Sequence, residues 1–321
     1  MTSDLRPDVL AFGETMALFH ATAPGPLRHN AQLRLSCAGA ESTVAIGLAR
    51  LGHHATWVGR VGADELGALV RDTLRGSGVD VYAIPDPTRP TGLLLRSLRT
   101  PSATRVAYYR AGSAGATLAA DDVQPFLEGR PRVVHTTGIT AALSPRARDT
   151  VVRTMDRAHR DGSLVSYDIN FRARLTTLAE AAQILRELLS SIDILFFGED
   201  ELPVVFAALD IPDGNLEALF RNRYVHQLVL KRGRHGATAA EDGRQTTVPA
   251  TETVSIDSVG AGDSFVAGYL SGIVDGLDLG DRLSRGAELG AFSVAAAGDW
   301  EGLPTHDELS LIHAAPDYAE R

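Results

Sequence analysis

Short runs dense in Val, Ile, Leu and Phe alternate along this chain with longer segments whose apolar residues recur three and four positions apart. The run VLAFGE predicts a strand, and AESTVAIGLARLG predicts a helix closed by Gly52. ATWVGRVG is again strand-like and leads into the helical ADELGALVRDTLRGSG. RVVHTTG, SLVSYDIN, DILFFG and HQLVLKRG follow, each separated from the next by a predicted helix. These runs are apolar on both faces. That is the pattern of parallel strands covered by helices on both sides, so the fold class expected is α/β with a central, mainly parallel sheet.

Two segments break the alternation. Met16 to Ser36, and Thr91 to Arg110 (TGLLLRSLRTPSATRVAYYR), read as short strands or hairpins with no helix between them. They predict a small sheet projecting from the main body. A lid over a crevice and an edge extension or dimer contact are both consistent with it. No internal repeat, low-complexity tract or Pro/Ser-rich linker divides the chain.

Composition narrows the picture. The 321 residues are enough for one large core, or one core with a small appendage. A hydrophobic content of 44% with 22% charged residues is that of a soluble globular enzyme. The formal charge of −9 argues against nucleic acid as the main partner. Lys231 is the sole lysine, and the sole cysteine, Cys37, makes neither an internal disulfide nor a Cys-based metal site. The opening MTSDLRPDVLAFGE places acids where a signal peptide needs a basic start, and no apolar run is long enough to span a bilayer. A cytoplasmic protein is expected.

The stretch DSVGAGDSFVAGYL, Asp257 to Leu270, carries the chemistry. VSI before it reads as a strand end, and Phe265, Val266, Tyr269, Leu270 and Ile273 after it recur at helical spacing. Gly260, Ala261, Gly262 and Asp263 therefore lie where a loop enters a helix. There the first amides lack intrahelical partners and the dipole is positive, and glycines let the backbone approach an anion. Asp263 is either an N-cap or a catalytic carboxylate beside a phosphate cradle. The second reading is phosphoryl transfer to an alcohol: amides hold the charge of the transferring group while the carboxylate takes the hydroxyl proton. A helix N-terminus favours the ionised carboxylate, which weakens it as a base. In a loose transition state a weak, well-placed base suffices.

This stretch resembles the D-T-x-G-A-G-D signature of the ribokinase-like, or PfkB, carbohydrate kinases, with Ser258 in place of Thr. AGAESTVAIGLARLG, Ala38 to Gly52, resembles the family's G-G-x-x-x-N-x-A stretch, and WVGRVGADELG after it also fits. The resemblance covers nearly the whole chain in the expected order. It implies a single ribokinase-like, three-layer α/β/α domain over residues 1–321, with lid segments at about 16–36 and 91–110. Within the family the chain is most similar to 2-keto-3-deoxygluconate kinases, through FGETMALF, AGAE, AYYRAGSAGATL, TTGITAALSP, DINFR and AAGDWEG. A keto-deoxy acid carries a carboxylate, which suits a guanidinium fork or a tyrosine hydroxyl.

The resemblance implies roles for particular residues. Asp263 is the general base on a terminal hydroxyl, and Gly260, Ala261 and Gly262 form the anion hole. Gly39, Tyr108, Arg110, Arg172 and Asp299 touch the sugar acid. Asn170 reaches toward the nucleotide phosphates, as does Arg172, while Lys231, Gly233 and Gly236 border the nucleotide. Glu201 acts on Mg²⁺ through water. ATP and Mg²⁺ are the implied cofactors, a small sugar acid the substrate, and a homodimer or higher homo-oligomer through the lid edges the implied assembly. Three positions depart from the pattern: Thr43 replaces the N-terminal Asn, Gly198 replaces an Asn before Glu201, and Leu94 stands where the nearest relatives often carry a lid tyrosine.

Other signals are set aside. HRD at His159 to Asp161 lacks the downstream Asn of a protein-kinase loop, since position 166 is Ser166. No Gly-Lys-Ser/Thr tripeptide exists for a Walker A loop, GRVGADELG lacks G-x-G spacing, and the ten histidines show no zinc-ligand spacing. His53 and His54, at a helix end, favour its dipole. The expected activity is ATP- and Mg²⁺-dependent phosphorylation of 2-keto-3-deoxygluconate or a close sugar acid at its primary alcohol. The alternatives are a kinase for a neutral sugar of the fructose or ribose type, and a non-catalytic sugar- or nucleotide-binding regulator on the same fold.

Overall fold

The computed structural model describes residues 7–28, 32–100 and 103–314. Positions 29–31 and 101–102 of the two lid segments lie outside the described residues. The strands are β1 (Val9–Phe12), β2 (Met16–Ala21), β3 (Leu33–Ala38), β4 (Ala55–Gly62), β5 (Asp80–Asp86), β6 (Leu93–Thr100), β7 (Ala103–Tyr109), β8 (Val133–Thr137), β9 (Leu164–Asp168), β10 (Ile194–Gly198), β11 (Gln227–Lys231), β12 (Ala237–Glu241) and β13 (Arg244–Val248). The helices are α1 (Ala40–Arg50), α2 (Glu65–Gly76), α3 (Ala120–Val123), α4 (Gly138–Ala142), α5 (Pro145–Arg160), α6 (Leu178–Leu188), α7 (Leu202–Leu209), α8 (Leu216–Phe220), α9 (Ala261–Val274) and α10 (Leu279–Val294).

The large sheet runs β13-β12-β11-β10-β9-β8-β1-β4-β5, parallel from β11 to β5 and closed at its other edge by the antiparallel hairpin β12–β13. Alternation along β1 shows how both faces are buried. Leu10 and Phe12 join the core under α5, α6 and α7, while Val9 and Ala11 join the core under α1, α9 and α10. The expected helix-covered parallel sheet is what forms. The hairpin and β5 were not anticipated. β5 carries Pro85, and both lie at sheet edges, where one-sided burial blurs the apolar pattern.

The second sheet runs β3-β2-β6-β7, with β2 and β6 parallel and the outer pairs antiparallel. Met16, Leu18, Ala38 and Leu94 form its small apolar cluster, with Val106 against it. The two segments without helices thus pair into one lid sheet, as expected. The VSI strand end does not form. Residues 251–259 are irregular, with Val254 79% and Ile256 65% exposed, so no sheet partner claims that stretch.

Helix starts differ according to what they face. Asp64, Ser144, Thr177 and Asp278 cap α2, α5, α6 and α10 with side-chain oxygens. The helices α1 and α9 begin instead at Gly39 and Gly260, with no side-chain cap. Their first amides stay available to a ligand. At the other end of α1, His53 bonds Ser271 Oγ at 2.8 Å, and burial lowers its pKa. It is a neutral bridge between helices, not a cation at the dipole.

Candidate active site

The carboxyl ends of β1, β8, β9, β10 and β11 all open on one edge of the large sheet, where the strand order reverses on either side of β1. Crevices at such a switch point are where α/β sheets bind ligands. A cavity of about 500 Å³ lies there, between the sheet edge, the starts of α1 and α9, and the lid. It brings together Gly39, Tyr108, Arg110, Asn170, Arg172, Glu201, Lys231, Gly260, Gly262, Asp263 and Asp299, which the sequence pointed to separately. Gly233 and Gly236 do not line it. They flank the turn from β11 to β12, and a Cβ on Gly236 would meet the Val248 carbonyl oxygen at 2.0 Å. Hairpin packing by itself requires glycine at that position.

The start of α9 settles the alternative between cap and free carboxylate. Gly260 occupies the cap position with φ +78°, a left-handed backbone, and a Cβ there would sit 2.0 Å from the Asp299 carbonyl oxygen. Asp263 falls in the first helical turn and accepts from Asn170 Nδ2 at 2.8 Å across the cavity. It is not the N-cap. Asn170 itself holds φ +42°, an uncommon backbone for a non-glycine residue, at the end of β9. Its amide is directed at Asp263.

Charge in the site is concentrated. Lys231, at the end of β11, bonds Asp168 Oδ2. Burial alone lowers the ammonium pKa, but Asp168, Glu201 and Asp263 outweigh it and hold it above its ordinary value. Burial raises the Asp263 carboxyl, and Asp168 raises it further, against the opposing pull of Lys231, Arg172 and the Asn170 amide. The base-weakening influence expected of a helix start is thus outweighed, and the group is a stronger base than an ordinary aspartate. Asp299 is pushed up to about 7 by burial, opposed by Arg96.

Glu201 is buried, with both oxygens engaged by backbone amides: Phe171 N donates to Oε1 at 2.6 Å and Gly198 N to Oε2 at 2.7 Å. Among the described residues no group of three or more His, Cys, Asp or Glu converges as a metal cage. Mg²⁺ does not need one, since it usually keeps several waters and takes one or two carboxylates plus substrate phosphates. Glu201 and Asp200, both in the cavity wall, suit that arrangement. Gly198 leaves room beside them, since a Cβ there would meet Asp200 Oδ1 at 2.6 Å.

On the lid side, Tyr108 is 38% exposed toward the cavity and pairs across β6–β7 with Leu94. Arg110 lies beneath its ring, 5.8 Å from the centroid, and donates from Nε to Glu14 Oε2 at 2.7 Å. Glu14, which also accepts from Ser113, is buried. Arg110 is therefore already half of a buried ion pair, whereas Arg172 is exposed and donates to the Phe171 carbonyl at 3.0 Å. Thr43 is buried within α1 and does not line this cavity.

Sequence reasoning missed several residues at the site, among them Asp200, beside Glu201 in GEDE. Asp168, Glu14 and Asp257 lie inside stretches already singled out, DINFR, FGETMALF and DSVGAGD, so position relative to the motif was an available signal. Arg96, within LLLRSLR, carried none. It is 3% exposed and bridges the lid to Asp257 and Asp299.

A solved PfkB protein from Polaromonas shares this architecture, with a TM-score of 0.82 at 32% identity over 95% of this chain and 99% of that one. The fold is ribokinase-like. The profile of the pfkB family carbohydrate kinases matches residues 6–306, and the chain belongs to that family. It is 35% identical over 319 residues to a 2-dehydro-3-deoxygluconokinase of Bacillus subtilis, covering 97% of each. It is also 32% identical over 281 residues to a fructokinase of Klebsiella pneumoniae, covering 84% of this chain and 90% of that one. The activity class is sugar phosphotransfer, and no helix among the described residues is long and apolar enough to cross a membrane.

Proposed function

We propose that this chain transfers the γ-phosphoryl group of ATP to the primary alcohol of a sugar acid of the 2-keto-3-deoxygluconate type. The observation that carries the reading is the Asp263 corner. A carboxylate of raised pKa faces the cavity from the first turn of a helix that starts, without a side-chain cap, on a left-handed glycine. The amides of Gly260, Ala261 and Gly262 hold the negative charge that spreads over the transferring group. Asp263 takes the hydroxyl proton, kept in place by Asn170. The Lys231 ammonium, 3.5 Å from where a Cβ of Gly262 would sit, offsets charge on the same side. Glu201 and Asp200 would hold Mg²⁺ through water, and the ion would neutralise phosphate oxygens of the bound nucleotide. Lid residues exclude water, which limits ATP hydrolysis.

For the sugar acid, Arg172 and Tyr108 meet the carboxylate and Gly39 lets the α1 amides approach it. Asp299, its carboxyl raised by burial, lines the cavity and hydrogen-bonds a hydroxyl of the sugar. One observation favours a neutral-sugar kinase instead: Glu14 already neutralises Arg110, so the free positive charge facing an acid rests on Arg172.

The test is ADP release with ATP and Mg²⁺ across a panel of sugar acids and neutral sugars. The reading expects the highest kcat/KM with a 2-keto-3-deoxy acid and a phosphorylated primary alcohol in the product. A clear preference for fructose or ribose would transfer the assignment to the neutral-sugar reading, and no turnover with any sugar would overturn both.

A further inference from the structure

Arg96 stands on β6, in the lid, yet its guanidinium is buried and faces the body. Nη2 donates to both oxygens of Asp257, and Nη1 lies 3.9 Å from Asp299 Oδ1. Asp257 in turn accepts from the Val259 amide at 3.2 Å and the Gly298 amide at 3.3 Å. Between those anchors Gly260 backs onto the Asp299 carbonyl. One guanidinium thus joins a lid strand, the loop that becomes Gly260 to Gly262, and the loop at 298–301.

The surroundings say what this group is for. Nε and Nη1 have no hydrogen-bond partner among the described residues, although the residue lines the cavity. Asp257 and Asp299 face it, and Glu301 lies nearby, held by Ser36 and Arg34 of β3. A substrate carboxylate placed there would meet several charges of its own sign. His20, directly across the β2–β6 pair, is desolvated and biased further toward its neutral form by Arg96. The corner therefore holds a cation that serves its own carboxylates.

We propose that Arg96 is a positioning residue for phosphoryl transfer: by clamping Asp257 from the lid, it holds the Val259–Gly262 turn with its amides facing the transferring group. Arg96 does not ligate the sugar. Seating of the lid and shaping of the anion hole are then one event, which ties phosphoryl transfer to the closed site. The inference rests on the reading of Gly260 to Gly262 as the anion hole.

The test compares Arg96→Met, Arg96→Lys, Asp257→Asn and the Arg96→Met/Asp257→Asn double variant in the full chain, with the sugar that the wild type phosphorylates. Arg96→Met is expected to lower kcat about 10²-fold while sugar KM changes less than about threefold, as for a lost transition-state contact. Added guanidinium at a non-denaturing concentration restores part of that loss. Arg96→Lys, which keeps charge without the fork, stays below wild type. The double variant is no slower than the slower single, because both break one contact. Melting temperature and nucleotide binding are read on every variant. If Arg96→Met does not fold, Asp257→Asn alone must show the same fall in kcat with KM kept.

Unchanged kcat with sugar KM raised tenfold or more would make Arg96 a sugar ligand and overturn the proposal. So would losses that multiply in the double variant, or wild-type kinetics in Arg96→Met. A wild type inactive with every sugar would remove the anion-hole reading itself, which is a different result from an active wild type with indifferent variants.

Discussion

The body wall of the cavity and its lid wall hold charge in different ways. On the body side Asp168, Lys231 and Asp263 sit at the end of β9, the end of β11 and the start of α9, and their positions follow from the sheet itself. On the lid side Tyr108 and Arg110 stand on and beside β7, and the Arg110 charge is spent on Glu14. On the proposed function, the difference is between a reaction and a substrate. Groups at the ends of core elements cannot shift without disturbing two packed faces, which suits chemistry that needs fixed geometry. The lid sheet's own apolar cluster is small among the described residues, formed by Met16, Leu18, Ala38 and Leu94, so its inner face can change residue by residue.

The largest expected effect lies on the body wall. Asp263→Asn is expected to lower kcat by about 10² to 10⁴-fold with sugar binding largely kept, measured by steady-state turnover beside calorimetry. Near-normal turnover would make the two walls alike in carrying no chemistry. Gly260→Ala follows. Its Cβ would meet the Asp299 carbonyl at 2.0 Å in a left-handed backbone, so the turn must move, with a loss of about 10² to 10³ in kcat. On the lid wall, Arg110→Ala is expected to act first on stability. It strands the buried Glu14 carboxylate at a cost of about 3–5 kcal/mol, read by denaturant unfolding, before any effect on sugar affinity. An unchanged midpoint would show that Arg110 is free to serve a ligand. Smallest of all, Gly233→Ala has φ +51° and open space around it, so it costs about 1 kcal/mol and leaves kcat intact.

The same contrast explains what the sequence made legible. DSVGAGD is contiguous because a helix start is local: neighbouring amides and a carboxylate one turn on must be neighbours in sequence too. The runs of the parallel sheet were readable because burial on both faces leaves no polar alternation to confuse them. Arg96 was not readable, since its partners Asp257 and Asp299 lie more than a hundred residues away on other elements, and a lone arginine in LLLRSLR looks like any half-exposed strand residue. Nor was the pairing of Arg110 with Glu14, which joins β7's end to the loop after β1. VSI looked like a strand by composition alone, but no neighbour offers it a ladder.

The most direct test of the central claim is the pH dependence of kcat/KM for the wild type beside that of Asp263→Asn. Burial and Asp168 raise the Asp263 pKa, so the base is competent above that value and is lost as pH falls through it. The account predicts an acid limb of about tenfold per pH unit, with an apparent pKa above the 3.8 of an ordinary aspartate, and no such limb in the residual activity of the variant. A limb that survives unchanged in Asp263→Asn would contradict it.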